Sequence, residues 1–195
     1  MGFEDKVQKA KNLLEESAQV KIKLSKLLAE EIVKISDLIV EAFMNGGKVI
    51  LFGNGGSAAD AQHIAAEFVG RYILERRGLP AIALTTDTSI LTAVSNDYGF
   101  ESVFSRQVEA LANEGDVIIA ISTSGLSKNV LEAVKIAKKK KATIVGFTGE
   151  SGGNLVKLAD ITINVPSQST PRIQESHITV LHIICDLVEQ ELFGK

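Results

Sequence analysis

The stretch LFGNGGSAADAQHIAAEF, residues 51–68, changes character twice. It opens as an apolar run suited to a buried strand, turns on Gly53-Asn54-Gly55-Gly56, and continues as an alanine-rich helix. A strand that ends in a glycine turn and feeds a helix is the entry unit of a parallel α/β sheet. The first N–H groups of such a helix lack intrahelical partners, and the helix dipole adds partial positive charge, so the turn suits an anion. Ser57 stands beside this turn. His63 and Glu67 follow four residues apart, which puts them on one helix face.

Outward from this unit the rhythm repeats. KVILFG (48–53), AIALTT (81–86), DVIIAIST (116–123), ATIVGFT (142–148) and ITINVP (161–166) read as five strands. Several are apolar at successive positions, as strands covered on both faces must be. Helices are expected over 57–70, 89–95, 101–112, 127–140, 152–158 and 172–192, the last following Pro171. Alternation of this kind predicts a doubly wound, five-stranded parallel sheet of flavodoxin-like order, 2-1-3-4-5. Before it, residues 3–45 carry apolar positions at three- and four-residue steps, including Val20, Leu24, Leu28, Ile32, Ile35 and Ile39. One long helix or two consecutive ones would fit. The stripe is longer than a small sheet needs, so part of it is expected to pack against another subunit. With no internal repeat and no Pro- or Ser-rich linker, residues 1–195 are expected to form a single domain, a helical segment over 3–45 and an α/β core over 48–195.

Bulk properties exclude several function classes. The chain has 195 residues, 45% hydrophobic and 23% charged, with net charge −3. That balance is of a soluble globular protein and argues against nucleic-acid binding. The single basic run, KKKK at 138–141, falls where a helix should end and meets the negative end of its dipole. Cys185 is alone, which fits a reducing compartment. The opening segment MGFEDKVQKAKNLLEES lacks a signal peptide's apolar core, and Lys6 stands where myristoylation wants Ser or Thr. No apolar run reaches membrane-spanning length. A cytoplasmic location without membrane attachment is expected.

The third strand also ends in a polar loop, Ser122-Thr123-Ser124-Gly125-Leu126-Ser127. Strands one and three are neighbours in the 2-1-3-4-5 order, and the crevice opens between their carboxyl ends. Both loops should therefore converge on one site, where hydroxyls and backbone N–H groups suit a small phosphate. Gly53-x-Gly55-x-x-Ala58 formally fits a dinucleotide fingerprint. The acidic residue expected about 20 positions on, at the end of the second strand, is missing. A Walker loop is excluded because no Gly-Lys-Ser/Thr follows.

The final helix, RIQESHITVLHIICDLVEQEL, carries Gln174, Glu175, His177 and His182 among apolar residues. His182 has apolar neighbours on nearly every side and is expected to be buried with a partner. His177 points away from it and reads as structural. Ile64, Ala65, Ala66 and Phe68 suggest that the His63 helix also has little exposed surface. His63, Glu67, Gln174 and His182 could serve one site across the two helices. Two imidazoles, a carboxylate and an amide oxygen suit Zn²⁺; they equally suit an acid and a base across a phosphate pocket.

The stretches GNGGSAADAQHIAAEFVGRY, PAIALTTDTSILTAVSNDYGFESVFSRQVEA, GDVIIAISTSGLSKNV and RIQESHITVLHIICDLVE resemble the sedoheptulose 7-phosphate isomerases, or phosphoheptose isomerases, of the sugar-isomerase (SIS) fold. The resemblance spans nearly the whole chain, in order. It implies a cytoplasmic homotetramer that converts sedoheptulose 7-phosphate to D-glycero-D-manno-heptose 7-phosphate and so begins the supply of activated heptose for lipopolysaccharide cores. By resemblance, Asn54, Gly55, Gly56 and Ser57 form the first substrate loop, and Asn96 and Asp97 add a substrate-binding pair. Ser122, Thr123, Ser124 and Ser127 match the phosphate loop. His63, Glu67, Gln174 and His182 match zinc and substrate positions, one zinc per subunit, with Glu67 as base and His182 as acid. Pro171 stands where some members have an acidic residue, so that acid's role does not transfer, and Leu126 replaces a common asparagine. The fold also includes a non-catalytic protein that associates with the replication initiator; there the positions matching Glu67 and His182 differ, whereas both residues are present here.

Overall fold

The computed structural model describes residues 1–194. It opens with α1 (Phe3–Met44), one continuous helix of 42 residues, about 63 Å long at 1.5 Å per residue. There follow β1 (Val49–Gly53), α2 (Gly56–Val69), β2 (Ala81–Ala83), α3 (Thr88–Tyr98), α4 (Ser105–Leu111), β3 (Val117–Ile121), α5 (Lys128–Lys139), β4 (Thr143–Thr148), β5 (Ile161–Asn164) and α6 (Thr170–Phe193). The five strands form one sheet of order β2-β1-β3-β4-β5, as expected, and every pairing is parallel.

Successive side chains of a strand face opposite ways, so a sheet covered on both sides builds two cores. Val49, Leu51, Ile119, Ile121, Val145 and Phe147 face α1, α2 and α6. Ile50, Phe52, Ile118, Ala120 and Ile144 face α4 and α5. The apolar runs of β1 and β3 are accordingly buried at every position.

Expected boundaries shift where local chemistry intervenes. The strand expected over 81–86 stops at Ala83, because it lies at the sheet edge and Asp87 already caps α3, accepting the Ile90 N–H at 2.9 Å. The strand expected over 161–166 likewise ends at Asn164, at the opposite edge. The helix expected over 101–112 is divided into a 3-10 turn, Phe100–Ser102, and α4. Over 152–158 only a 3-10 turn, Leu155–Lys157, forms, since Gly152 and Gly153 occupy positive-φ positions at its start. The lysine run behaves as read: Lys138 and Lys139 lie in the last turn of α5. No helix among the described residues is long and apolar enough to cross a membrane.

Of the two histidines of α6, His177 is structural as read, whereas His182 is less enclosed than expected. His177 is fully buried, edge-on to Phe147, with Nε2 3.1 Å from the Thr148 carbonyl. That contact fixes the proton on Nε2 and leaves buried Nδ1 without a partner. His182, expected to be enclosed, is only half-buried. A helical repeat reveals that two residues differ in direction, but not which direction the sheet occupies.

Burial lowers the pKa of His177 from 6.5 to about 4, with the Thr148 hydrogen bond opposing. Between those values the unfolded chain binds a proton that the folded chain refuses. Stability therefore falls as pH drops from about 6.5 towards 4, and the full contribution is present only above that window. Urea unfolding across this range should show wild type losing ~3 kcal/mol more than His177→Gln, from 1.36 kcal/mol per pKa unit. Equal losses in the two proteins would exclude His177 as the titrating group.

Candidate active site

The first loop is built by the end of β1. Gly55 has φ 56° and ψ −122°, a conformation natural to glycine, and turns the chain directly into α2. The turn is held by Ser57 N–H on the Asn54 carbonyl and Ala58 N–H on the Gly55 carbonyl, both 3.0 Å. Ser57 is buried, Asn54 is half-buried, and Gly55 and Gly56 are exposed.

The second loop leaves β3 beside it. Ser122 and Ser127 bring their hydroxyls within 3.0 Å of each other, and Leu126 N–H donates to Ser124 Oγ at 3.2 Å. Thr123 is half-buried and Ser124 is exposed. Ser127 is the N-cap residue of α5, so the hydroxyl pair stands at that helix's positive end. A reciprocal amide pair joins the two loops: Asn54 Nδ2 donates to Asn129 Oδ1 at 2.9 Å, and Asn129 Nδ2 donates to Asn54 Oδ1 at 2.8 Å. Asn129 was not identifiable from sequence as a site residue, although its polar side chain on the buried side of α5 is a signal.

Across α2 and α6, His63 Nε2 lies 2.8 Å from His182 Nε2 and 3.4 Å from Glu67 Oε1. One ligand atom from each of His63, Glu67 and His182 falls within 4.8 Å of the others. Burial first, and then neighbouring His63, lower the pKa of His182, with Glu67 acting in the opposite sense. The α2 face carrying this group is more open than expected: Gln62, His63, Ala66 and Val69 are exposed in the single chain. Alanine composition alone did not reveal this, because alanine fits both covered and open helix faces.

Gln174 stands two turns before His182 on α6, about 12 Å along the axis. A Cβ on Gly56 would overlap its side-chain amide, so glycine permits α6 to bring Gln174 onto the first loop. Asp60, which sequence reasoning missed, lines the same hollow. It is buried, and its Oδ2 has no hydrogen-bond partner. Burial raises its pKa to about 6, against the opposing influence of His63. Asn96 and Asp97 lie exposed on α3, where Asn96 Nδ2 donates to Asp97 Oδ1 at 2.8 Å.

The donor set passes a chemical test for zinc, since two imidazole nitrogens and a carboxylate oxygen converge from two rigid helices. Gly56→Ala tests the Gln174 contact. The obstructing atoms belong to the end of a flexible side chain, so the fold should survive with stability changed by less than about 1 kcal/mol. Turnover should nevertheless fall as the amide is displaced. Unchanged kinetics in the variant would show that Gln174's position is immaterial.

Comparisons with known proteins agree with this geometry. The SIS domain family pattern matches residues 12–149. The phosphoheptose isomerase of Geotalea daltonii is 51% identical over 189 residues, covering 97% of this chain and 98% of that protein. The solved phosphoheptose isomerase GmhA from Neisseria gonorrhoeae superposes with TM-score 0.89 at 46% identity, covering 94% of this chain and 98% of its own. A phosphoheptose isomerase from Francisella tularensis gives TM-score 0.92 at 40% identity, over 95% and 98% of the two chains. With two polar loops tied side by side and the Glu67 and His182 side chains brought together, the chain belongs to the phosphoheptose isomerases of the SIS domain family.

Proposed function

We propose that this aldose–ketose isomerase converts sedoheptulose 7-phosphate to D-glycero-D-manno-heptose 7-phosphate, with Glu67 as base and His182 as acid. The observation that carries the assignment is the convergence of Glu67 and His182 with His63 across α2 and α6, α2 being the helix that leads out of the first of the two paired loops. The phosphate would be held by the hydroxyls of Ser122, Thr123, Ser124 and Ser127 and by loop N–H groups, which donate without adding charge. Asn54, Gly55, Gly56, Ser57 and Gln174 would line the sugar end, with Asn96 and Asp97 as further contacts from α3.

Isomerisation moves two hydrogens. Glu67 takes the proton from C1, the C1–H electron pair forms the C1–C2 double bond, and the carbonyl pair moves to O2. His182 supplies the O2 proton, giving an enediol. The deprotonated His182 then takes the O1 proton, the O1–H electron pair forms the C1 carbonyl, and the C1–C2 double-bond pair takes the proton held by Glu67 at C2, which restores both residues. His63, Glu67 and His182 would hold zinc, the Gln174 amide oxygen joining them only on leaving its contact with Gly56, and zinc when bound supplies Lewis-acid polarisation of the sugar oxygens.

We further propose one domain over residues 1–195, a cytoplasmic location and a homotetramer built through α1. Residues 3–16 of α1 are exposed throughout, and Leu13, Leu14, Leu27 and Val33 present apolar side chains to solvent. Patches of this kind mark association surfaces. Sedimentation should give a tetramer, and a monomer at micromolar concentration would defeat the proposal.

Kinetics on sedoheptulose 7-phosphate test the residue roles. Glu67→Gln should lower turnover about 10²-fold or more, while Ser122→Ala should weaken substrate binding about two- to tenfold, the scale of one neutral hydrogen bond. Near-normal turnover in Glu67→Gln would remove Glu67 from the role of base.

A further inference from the structure

The segment between α2 and β2, residues 70–80, has no regular structure, yet two buried side chains fasten it. Arg76 Nε and Glu189 Oε1 pair at 2.9 Å, with side chains 2% and 1% exposed. The same Oε1 accepts the Tyr72 N–H at 3.0 Å. Oε2 accepts the N–H groups of Ile73 and Leu74, both at 2.7 Å. Burial would raise the pKa of Glu189, but the bonds from Leu74, Ile73, Tyr72 and Arg76 overcome it and favour the carboxylate. Arg76 gives its remaining donors to the backbone: Nη2 to the Glu67 carbonyl at 2.9 Å, and Nη1 to the Phe68, Gly70 and Arg77 carbonyls at 2.8, 3.1 and 3.0 Å. A guanidinium thus caps the carbonyls that the last turn of α2 leaves without helical partners.

The pair touches both proposed catalytic elements. One carbonyl that Arg76 holds belongs to Glu67 itself. Tyr72, whose N–H is held by Glu189, lays its ring against His182, with centroids 5.8 Å apart and planes 29° from parallel. His182 and Glu189 lie seven residues apart on α6 and therefore share a face. A buried ion pair is weak evidence for stability, because desolvation offsets most of its attraction. Here its hydrogen bonds set the positions of the two side chains that exchange protons with the sugar.

We propose that Arg76 and Glu189 are positioning residues for the isomerisation, fixing Glu67 through its carbonyl and the His182 ring through Tyr72. The inference rests on Glu67 and His182 being base and acid. Small displacements of a reacting group carry large rate penalties, up to about 10²-fold for 1 Å.

The experiment measures kcat and KM with sedoheptulose 7-phosphate for wild type, Tyr72→Phe, Tyr72→Leu, Arg76→Lys and Glu67→Gln. Each kcat is taken per folded molecule, and the His182 ring protons are followed by NMR. Tyr72→Phe keeps the stacked ring and should stay within about twofold of wild type. Tyr72→Leu and Arg76→Lys should lower kcat about tenfold with little change in KM, a loss within the range expected for misplacement. The His182 ring signals should move in those two variants and hold in Tyr72→Phe. If Arg76→Lys does not fold, the half-buried Tyr72 pair still decides the matter. Normal kcat in Tyr72→Leu beside an inactive Glu67→Gln would overturn the positioning role and leave the catalytic assignment standing. Near-normal turnover in Glu67→Gln would instead defeat that assignment, and the positioning role with it.

Discussion

Parallel pairing of β1 with β3 sets Gly53 opposite Ile121, so the two strands release their loops at the same level. Because neither strand lies at an edge of the sheet, the loops cannot spread apart without breaking ladders on both sides. The Asn54–Asn129 amide pair then closes the gap between the loops with two hydrogen bonds. A pair of side-chain amides is the fitting tie for this place. Each amide both donates to and accepts from the other, and the pair adds no charge beside the proposed anion pocket.

The architecture was legible because burial on both faces leaves a distinct mark: apolar residues at consecutive positions over five or six residues, then a polar turn. The strand order followed from the alternation of strands and helices, which points to the common doubly wound order, and the convergence of the two polar loops followed from β1 and β3 being neighbours in it. Asn129, Asp60 and Tyr72 were not legible. Each matters through a contact distant in sequence: Asn129 with Asn54, Asp60 in the hollow beside Gln174, Tyr72 against His182. The two histidines of α6 show the same limit. His177 and His182 both sit among apolar residues in sequence, but only the sheet decides that His177 meets Phe147 and His182 meets His63.

Arg76 illustrates how an irregular segment becomes as defined as a helix. Residues 70–80 have no ladder to supply their backbone bonds, so the groups must find partners elsewhere or face water. Glu189 takes three successive N–H groups and Arg76 takes four carbonyls. The segment is thereby pinned to α6, the helix that carries His182.

The contacts between α2 and α6 also fix how the site is oriented. Gly56 meets Gln174 and His63 meets His182, an almost constant offset along the two chains, so the helices run side by side in the same direction. Their positive ends therefore lie together, at the same edge of the sheet where α5 begins after the second loop. In the proposed reaction the negative phosphate would bind at that end. Glu67 and His182 lie further along both helices, away from the converging N–H groups. With the proposed anion receptor at one end and the proposed proton-transfer pair further down, the arrangement suits a sugar whose phosphate and carbonyl stand at opposite ends of its carbon chain. The proposed roles would thus keep the Glu67 carboxylate apart from the N–H donors assigned to the phosphate, so that neither group takes the other's partners.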